Sequence, residues 1–383
     1  YIRRDVMADL WDFGVGAVSA GGLSDPYEAN QLTLAPEFTI NEAGVAGSAE
    51  GQLSAPRNME VGPDGLIYVL DSGNHRIQVF DHDGRLQRGW GEFGSGEGQF
   101  NEPWGLAVDD EYVYVADTWN HRIQKFTLDG ELVDVFGASG SPAADDPSGG
   151  LGLFFGPRDI VLIGEDRLLV TDTGNHRLQM LDRDGNFITN VGSFGNGPGQ
   201  FNEPVGLAVA PDGSVYVADT WNGRIQQLSP ELAPLSEWRV EAWFGQSINN
   251  KPYLAVDSQG RVYVSDPEGY RVLIFSPSGA YLNRFGQFGA DTQSLGLPNG
   301  VFVDSADRLW VADSGNSRVL SFAPVFGAPA PVPAEEVPIE EAPTEAGPEA
   351  EQAASPTGEE SPEEPAASPT AGDAGQEPTD PGY

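Results

Sequence analysis

Six copies of one six-residue motif recur along this chain. They read Asp71-Ser-Gly-Asn-His-Arg76, Asp117-Thr-Trp-Asn-His-Arg122, Asp172-Thr-Gly-Asn-His-Arg177, Asp219-Thr-Trp-Asn-Gly-Arg224, Asp266-Pro-Glu-Gly-Tyr-Arg271 and Asp313-Ser-Gly-Asn-Ser-Arg318. Successive Asp residues stand 46, 55, 47, 47 and 47 positions apart. A fixed period of this size means one supersecondary unit repeated, each copy burying its faces on its neighbours. Residues kept in every copy then build the scaffold. Function is to be sought where the copies differ.

The second repeat shows the grammar of the unit. Gly105-Leu-Ala-Val108 is a short apolar strand, and Tyr112-Val-Tyr-Val-Ala116 is β-branched and aromatic. After the motif, Arg122-Ile-Gln-Lys-Phe126 alternates in polarity, as does Leu132-Val-Asp-Val-Phe136 beyond the Asp129-Gly130 turn. Four short strands joined by Asp-Gly or Gly-rich turns make an antiparallel blade. No helical periodicity competes. Six blades in a ring leave only short edges, so the expected fold is all-β, a six-bladed β-propeller with four-stranded blades.

A ring must close. The sixth repeat ends at Arg318-Val-Leu-Ser-Phe322 after only three strands. Phe38-Thr-Ile-Asn-Glu-Ala-Gly44 precedes Gly51-Gln-Leu-Ser-Ala-Pro56, the order that an outer strand takes before Gly98-Gln-Phe-Asn-Glu-Pro103. This predicts that residues 37–44 pair with 318–322 and supply the missing strand. The one long interval, 55 residues, is explained by an insertion within 138–150 between blades two and three, which a loop absorbs at little cost.

Three segments are expected: a lead-in at 1–36, either packed on the ring or juxtamembrane; the propeller at 37–326; and a tail at 327–383. The tail is Pro, Glu, Ala, Ser, Thr and Gly, with 14 acidic residues and no Lys or Arg. It cannot bury enough apolar surface to offset its ordering entropy, so it reads as disordered. Of the chain's 58 acidic residues, 44 remain outside the tail, against 20 basic ones. A body carrying about −24, with only Lys125 and Lys251 as lysines, is poorly suited to nucleic acid or to anionic membranes. There is no cysteine, which excludes disulfides and thiolate chemistry. No run of 18 apolar residues is present to span a bilayer. Tyr1 stands where an initiator Met would, so a processed or partial chain is expected, with any signal peptide or membrane segment outside it.

The run Gly-Gln-Phe-Asn-Glu-Pro, then Gly-Leu-Ala-Val, then Tyr-Val-Ala-Asp-Thr-x-Asn-x-Arg-Ile-Gln resembles the NHL-repeat family of β-propellers, over residues 37–326. The resemblance implies six blades and a binding face on the side of the loops that join them. It implies less about activity, because the family holds bacterial receptor sensor domains, RNA- and protein-binding modules and a few lyases, and a fold does not fix a function.

The motif Asp and Arg are expected to pair within each turn as structural residues. His75, His121 and His176 hold equivalent positions in different blades and are held apart by the ring, so no zinc site is expected. The copies diverge just after the inter-blade Pro, at Arg57-Asn58, Trp104-Gly105, Arg158-Asp159, Val205-Gly206, Tyr253-Leu254 and Asn299-Gly300. In a propeller these positions ring the mouth of the central channel. The candidate ligand-binding residues are therefore Arg57, Asn58, Trp104, Arg158, Asp159, Tyr253 and Asn299, with Trp119 and Trp221 extending an aromatic surface. Glu102, Glu203 and Lys251 are expected near the rim.

The expected function is a non-catalytic, monomeric binding module for a protein or carbohydrate, placed outside the cytoplasm as a sensor or scaffold. No catalytic residue, metal or cofactor is assigned. The alternative is a lyase or hydrolase with Arg57, Arg158, Asp159 and Tyr253 as its reacting set.

Overall fold

The computed structural model describes residues 25–143, 146, 149–164, 166–243 and 251–326. The first 24 residues and the acidic tail at 327–383 lie outside the described residues.

Six sheets account for the repeats, five of four strands and one, in blade five, whose four blade strands gain a fifth from the lead-in. Blade one runs Asn58–Val61, Ile67–Asp71, Arg76–Phe80 and Leu86–Trp90; blade two runs Gly105–Val108, Tyr112–Asp117, Arg122–Thr127 and Leu132–Phe136. The remaining innermost strands are Pro157–Ile163, Pro204–Val209, Leu254–Val256 and Pro298–Val303. Second and third strands are buried almost throughout, because each blade is covered on both faces. Six buried apolar layers fill the gaps between successive blades. One of them joins blade six to blade one through Trp310, Val319, Met59 and Ile67.

Closure occurs where the sequence places it. Phe38–Ile40 pairs antiparallel with Arg318–Phe322, in the register Phe38 to Ser321 and Ile40 to Val319. The Ile40 side chain is fully buried and the Asn41 amide donates to the Ser317 carbonyl at 2.7 Å. The described part of the lead-in packs on the ring. Gln31–Leu32 runs parallel to the outer strand of blade five, and Tyr27 is buried beneath it. Asp25 pairs with Arg271, and the Tyr27 hydroxyl accepts the Glu241 amide at 3.0 Å. One segment therefore straps blade five to the end of blade four.

The insertion between blades two and three leaves the loop base in place. Ala138–Ser139 pairs with Leu153–Phe154, where other inter-blade loops carry single bridges such as Phe93 to Phe100.

The motif turns build the scaffold. In all six blades the Arg Nε donates to the Asp Oδ2, at 2.7–2.9 Å. The other Asp oxygen accepts a backbone N–H from the preceding inter-blade loop, as with Ser54, Asn101, Phe155, Asn202 and Gly296. The motif Asn ties the same Asp to that loop's carbonyl, for example Asn120 to Gly94 at 2.8 Å. The residue before Arg adopts a left-handed conformation, with φ of 50–62°. Glycine fills this position in the fourth copy, where it is free of strain.

Candidate functional site

Strand connectivity gives the ring two unlike ends. The motif turns and inter-blade loops lie at one end, here the loop face; the hairpins joining first to second and third to fourth strands lie at the other. The divergent pairs sit where the innermost strands begin, at the loop face.

Their second members alternate small and large around the ring: Asn58, Gly105, Asp159, Gly206, Leu254, Gly300. A Cβ on Gly105 would stand 2.8 Å from Asp159 Cα, and one on Gly300 2.3 Å from the Arg57 carbonyl oxygen. Strands of blades two, four and six carry glycine because the neighbouring backbone occupies that space.

The first members do not form one open ring. Tyr253, fully buried, reaches from blade five across the channel. Its hydroxyl lies 3.1 Å from the carbonyl oxygens of both Trp104 and Arg158, in blades two and three. It plugs the channel and divides the candidate residues into two groups.

Below the plug, Asn58, Asp159 and Tyr253 line a cavity of about 280 Å³ whose walls are otherwise mainly apolar. Glu60 joins them. Its Oε2 accepts the Val108 amide at 2.7 Å, and Asp159 accepts the Leu207 and Ile160 amides at 2.8 and 3.0 Å. Burial pushes both carboxyls up to about 8. Towards the hairpin face the cavity shares Val209, Val256 and Val303 with a second one flanked by Asp257, Asp304 and Asp307.

Above the plug, two cations stack on Trp104. The Arg57 guanidinium stands 3.8 Å from its ring centre and that of Arg158 4.2 Å. Burial lowers both arginines, Arg158 to about 10, which leaves them charged at neutral pH. Lys251 is buried 4.1 Å above the Trp221 ring and 3.7 Å from Glu203, and burial brings it down to about 8. Trp104 Nε1, Arg158 Nη1 and Lys251 Nζ are buried and have no hydrogen-bond partner among the described residues. Asn299 is buried to one side, its amide donating to Ser314 Oγ at 2.8 Å and its Oδ1 unpartnered. Trp119 and Trp221 are half-exposed on the rim, their Nε1 atoms donating to Glu102 and Glu203 at 3.1 and 2.6 Å.

Two further groups shape this face. Nδ1 of His75, His121 and His176 accepts the backbone N–H of Glu102, Gly156 and Glu203 at 2.9–3.1 Å, so each histidine clips the next inter-blade loop. Over these histidines and Tyr270 lie Phe93, Phe155, Phe194 and Phe288, with ring centres 4.7–5.2 Å away. Sequence reasoning missed these phenylalanines. The signal was present as a repeated Gly-x-Phe-Gly at 91–94, 192–195 and 286–289, which reads as inter-blade packing until the exposure of the Phe is seen.

Comparison with known proteins places the fold. Residues 54–80, 100–126, 201–228 and 295–322 match the NHL repeat. RING finger protein nhl-1 of Caenorhabditis elegans is 42% identical over 64 residues, which cover 17% of this chain and 7% of that protein. Protein lin-41 of the same organism is 37% identical over 83 residues, covering 20% of this chain and 7% of that protein. The chain thus matches only a small part of these relatives' length. A gluconolactonase of Xanthomonas campestris shares the fold at a TM-score of 0.51 and 15% identity, over 78% of this chain and 98% of that one. Four NHL repeats on a closed ring of six four-stranded blades identify this chain as an NHL-repeat β-propeller.

Proposed function

We propose that this propeller is a protein-recognition module whose loop face is the binding surface. The observation that carries this reading is the set of exposed aromatics on that face. Phe93, Phe155, Phe194 and Phe288 are 66, 48, 67 and 74% exposed, and Trp119 and Trp221 are 44% exposed. Single exposed apolar residues need no explanation, but six large aromatics on one end of a ring mark an interaction surface. Aromatic anchors around polar and charged groups are the usual make-up of protein interfaces. A carbohydrate ligand is the neighbouring alternative, since sugars also stack on tryptophan.

The lyase or hydrolase reading has weaker support. Its set of Arg57, Arg158, Asp159 and Tyr253 is split by the plug: Asp159 lines the cavity below, while both arginines stack on Trp104 above. The Tyr253 hydroxyl is engaged by two carbonyls, and burial holds it well above the ordinary tyrosine range, so it is no base. Placement outside the cytoplasm rests on composition, and fractionation of cells making the chain tests it.

The test is a synthetic peptide array and a glycan array probed with the full chain. The triple variant Phe93→Ser, Phe194→Ser, Phe288→Ser is compared with a control, Ile188→Ser and Leu235→Ser, on exposed outer-strand residues. Peptide binders should weaken at least tenfold with the first variant and be unchanged with the second. Glycan hits alone, or binding indifferent to the triple variant, contradict the reading.

A further inference from the structure

The donors beneath the mouth are unequal in a way that points to a ligand. Buried polar groups are hydrogen-bonded with few exceptions. Among the described residues three of the exceptions are donors at this mouth: Trp104 Nε1, Arg158 Nη1 and Lys251 Nζ. Their residues are 2, 8 and 0% exposed, so bulk water does not serve them. Two guanidiniums within 4.2 Å of one indole centre also repel each other, and Arg158 lowers Lys251 further. Glu102 and Glu203 offset part of this repulsion, but Glu203 stands 3.7 Å from Lys251 Nζ, beyond hydrogen-bond reach, so the orphaned donors stay unsatisfied.

We propose that the channel mouth is a carboxylate-binding site, in which Arg57, Arg158 and Lys251 receive one carboxylate of an acidic peptide segment on a protein partner. The proposal rests on the reading of the loop face as a protein-binding surface, and adds the chemistry that the partner must present. Arginine's planar fork suits a carboxylate, and Trp104 holds both guanidiniums so that little entropy remains to be lost. Arg57, one of the three cations, borders a recess of about 160 Å³ with Ser72, Gly73, His75 and Glu102. The exposed phenylalanines around it suit apolar residues flanking the acid.

The rim argues for a single anionic group over a polyanion. Glu102 and Glu203 stand beside the cations, and the chain outside the tail carries about −24. A nucleic acid strand would bring many phosphates against that field with few cations to meet them. One carboxylate entering a local cationic point avoids this.

The experiment uses the full chain and a synthetic peptide array with free and with amidated C-termini. Binders are measured by calorimetry as such, with each Asp and Glu replaced by Asn and Gln, and against the variants Arg57→Gln, Arg158→Gln and Lys251→Met. Arg57→Gln, at the less buried of the two residues, keeps the test valid where Arg158→Gln fails to fold. The expected result is that loss of one carboxylate weakens binding at least tenfold. Arg57→Gln should erase that preference, while Glu60→Gln, in the cavity below the plug, should leave it unchanged. Dependence on side-chain acids or on a free C-terminus separates the two sources of the group. Loop-face binders indifferent to every carboxylate overturn this proposal and leave the protein-binding reading standing. Absence of any loop-face binder, or tighter binding of single-stranded RNA, overturns both.

Discussion

At the scale of single residues, the motif Asp is a junction. Asp172 takes Arg177 Nε at 2.8 Å, the Phe155 amide at 2.8 Å and the Asn175 amide at 2.9 Å, all in the interior. Removing it leaves a buried arginine and a buried amide without their acceptor. Asp172→Ala should therefore cost about 3–5 kcal/mol in denaturant unfolding, while Trp119→Ala on the rim should cost under about 1 kcal/mol. Equal costs would mean that the motif is not structural. Glu60 and Asp159 give a pH signature. Folded, they titrate near 8; unfolded, near 4. Between those values the folded chain binds more protons, so this contribution to stability is full below pH 4, falls as pH rises through 8, and is flat above. Glu60→Gln keeps an acceptor for the Val108 amide and removes one titration. Its melting temperature should exceed that of the parent by about 3–6 °C at pH 8.5, and the gap should close at pH 4. A gap independent of pH would contradict the assignment.

Elements divide into those the sequence announces and those that only packing creates. Blade strands and turns were legible because Asp, Asn, Gly and Arg repeat in register, and each does its work inside one period. The closing strand at Phe38–Ile40 was legible for the same reason: it stands where an outer strand must precede Gly51-Gln-Leu-Ser-Ala-Pro56. The strap on blade five was not legible, because Tyr27 and Gln31–Leu32 belong to no repeat and their partners lie some 250 residues away. The candidate residues were legible in identity and not in placement. Nothing in the sequence says that Tyr253 crosses the channel to Trp104 and separates Asp159 from Arg158. With the strand and the strap both supplied from one end, deleting residues 1–45 should lower the melting temperature by about 10 °C or more, since several kcal/mol of buried apolar contact go with it. Deleting 328–383 should change it by less than about 2 °C, within the range of surface changes. Equal effects in a thermal scan would refute closure by the N-terminal segment.

For the whole molecule, the two ends of the ring differ in chemistry. The hairpin face opens on a cavity bounded by carboxyls, and the loop face gathers aromatics around buried cations. The motif Asp and Arg are repeated six times, whereas the strand entrances vary from blade to blade: Arg57, Trp104, Arg158, Val205, Tyr253 and Asn299 follow the inter-blade Pro, and Lys251 precedes it in blade five. Asymmetry on a symmetric frame is the basis for assigning recognition to that end. Amide hydrogen exchange of the full chain, alone and saturated with a peptide selected on the array, tests this most directly. Binding should slow exchange in the loop-face segments 72–76, 91–104, 118–122 and 192–204. Protection confined instead to the hairpins at 62–66, 109–112 and 257–261 would contradict the account.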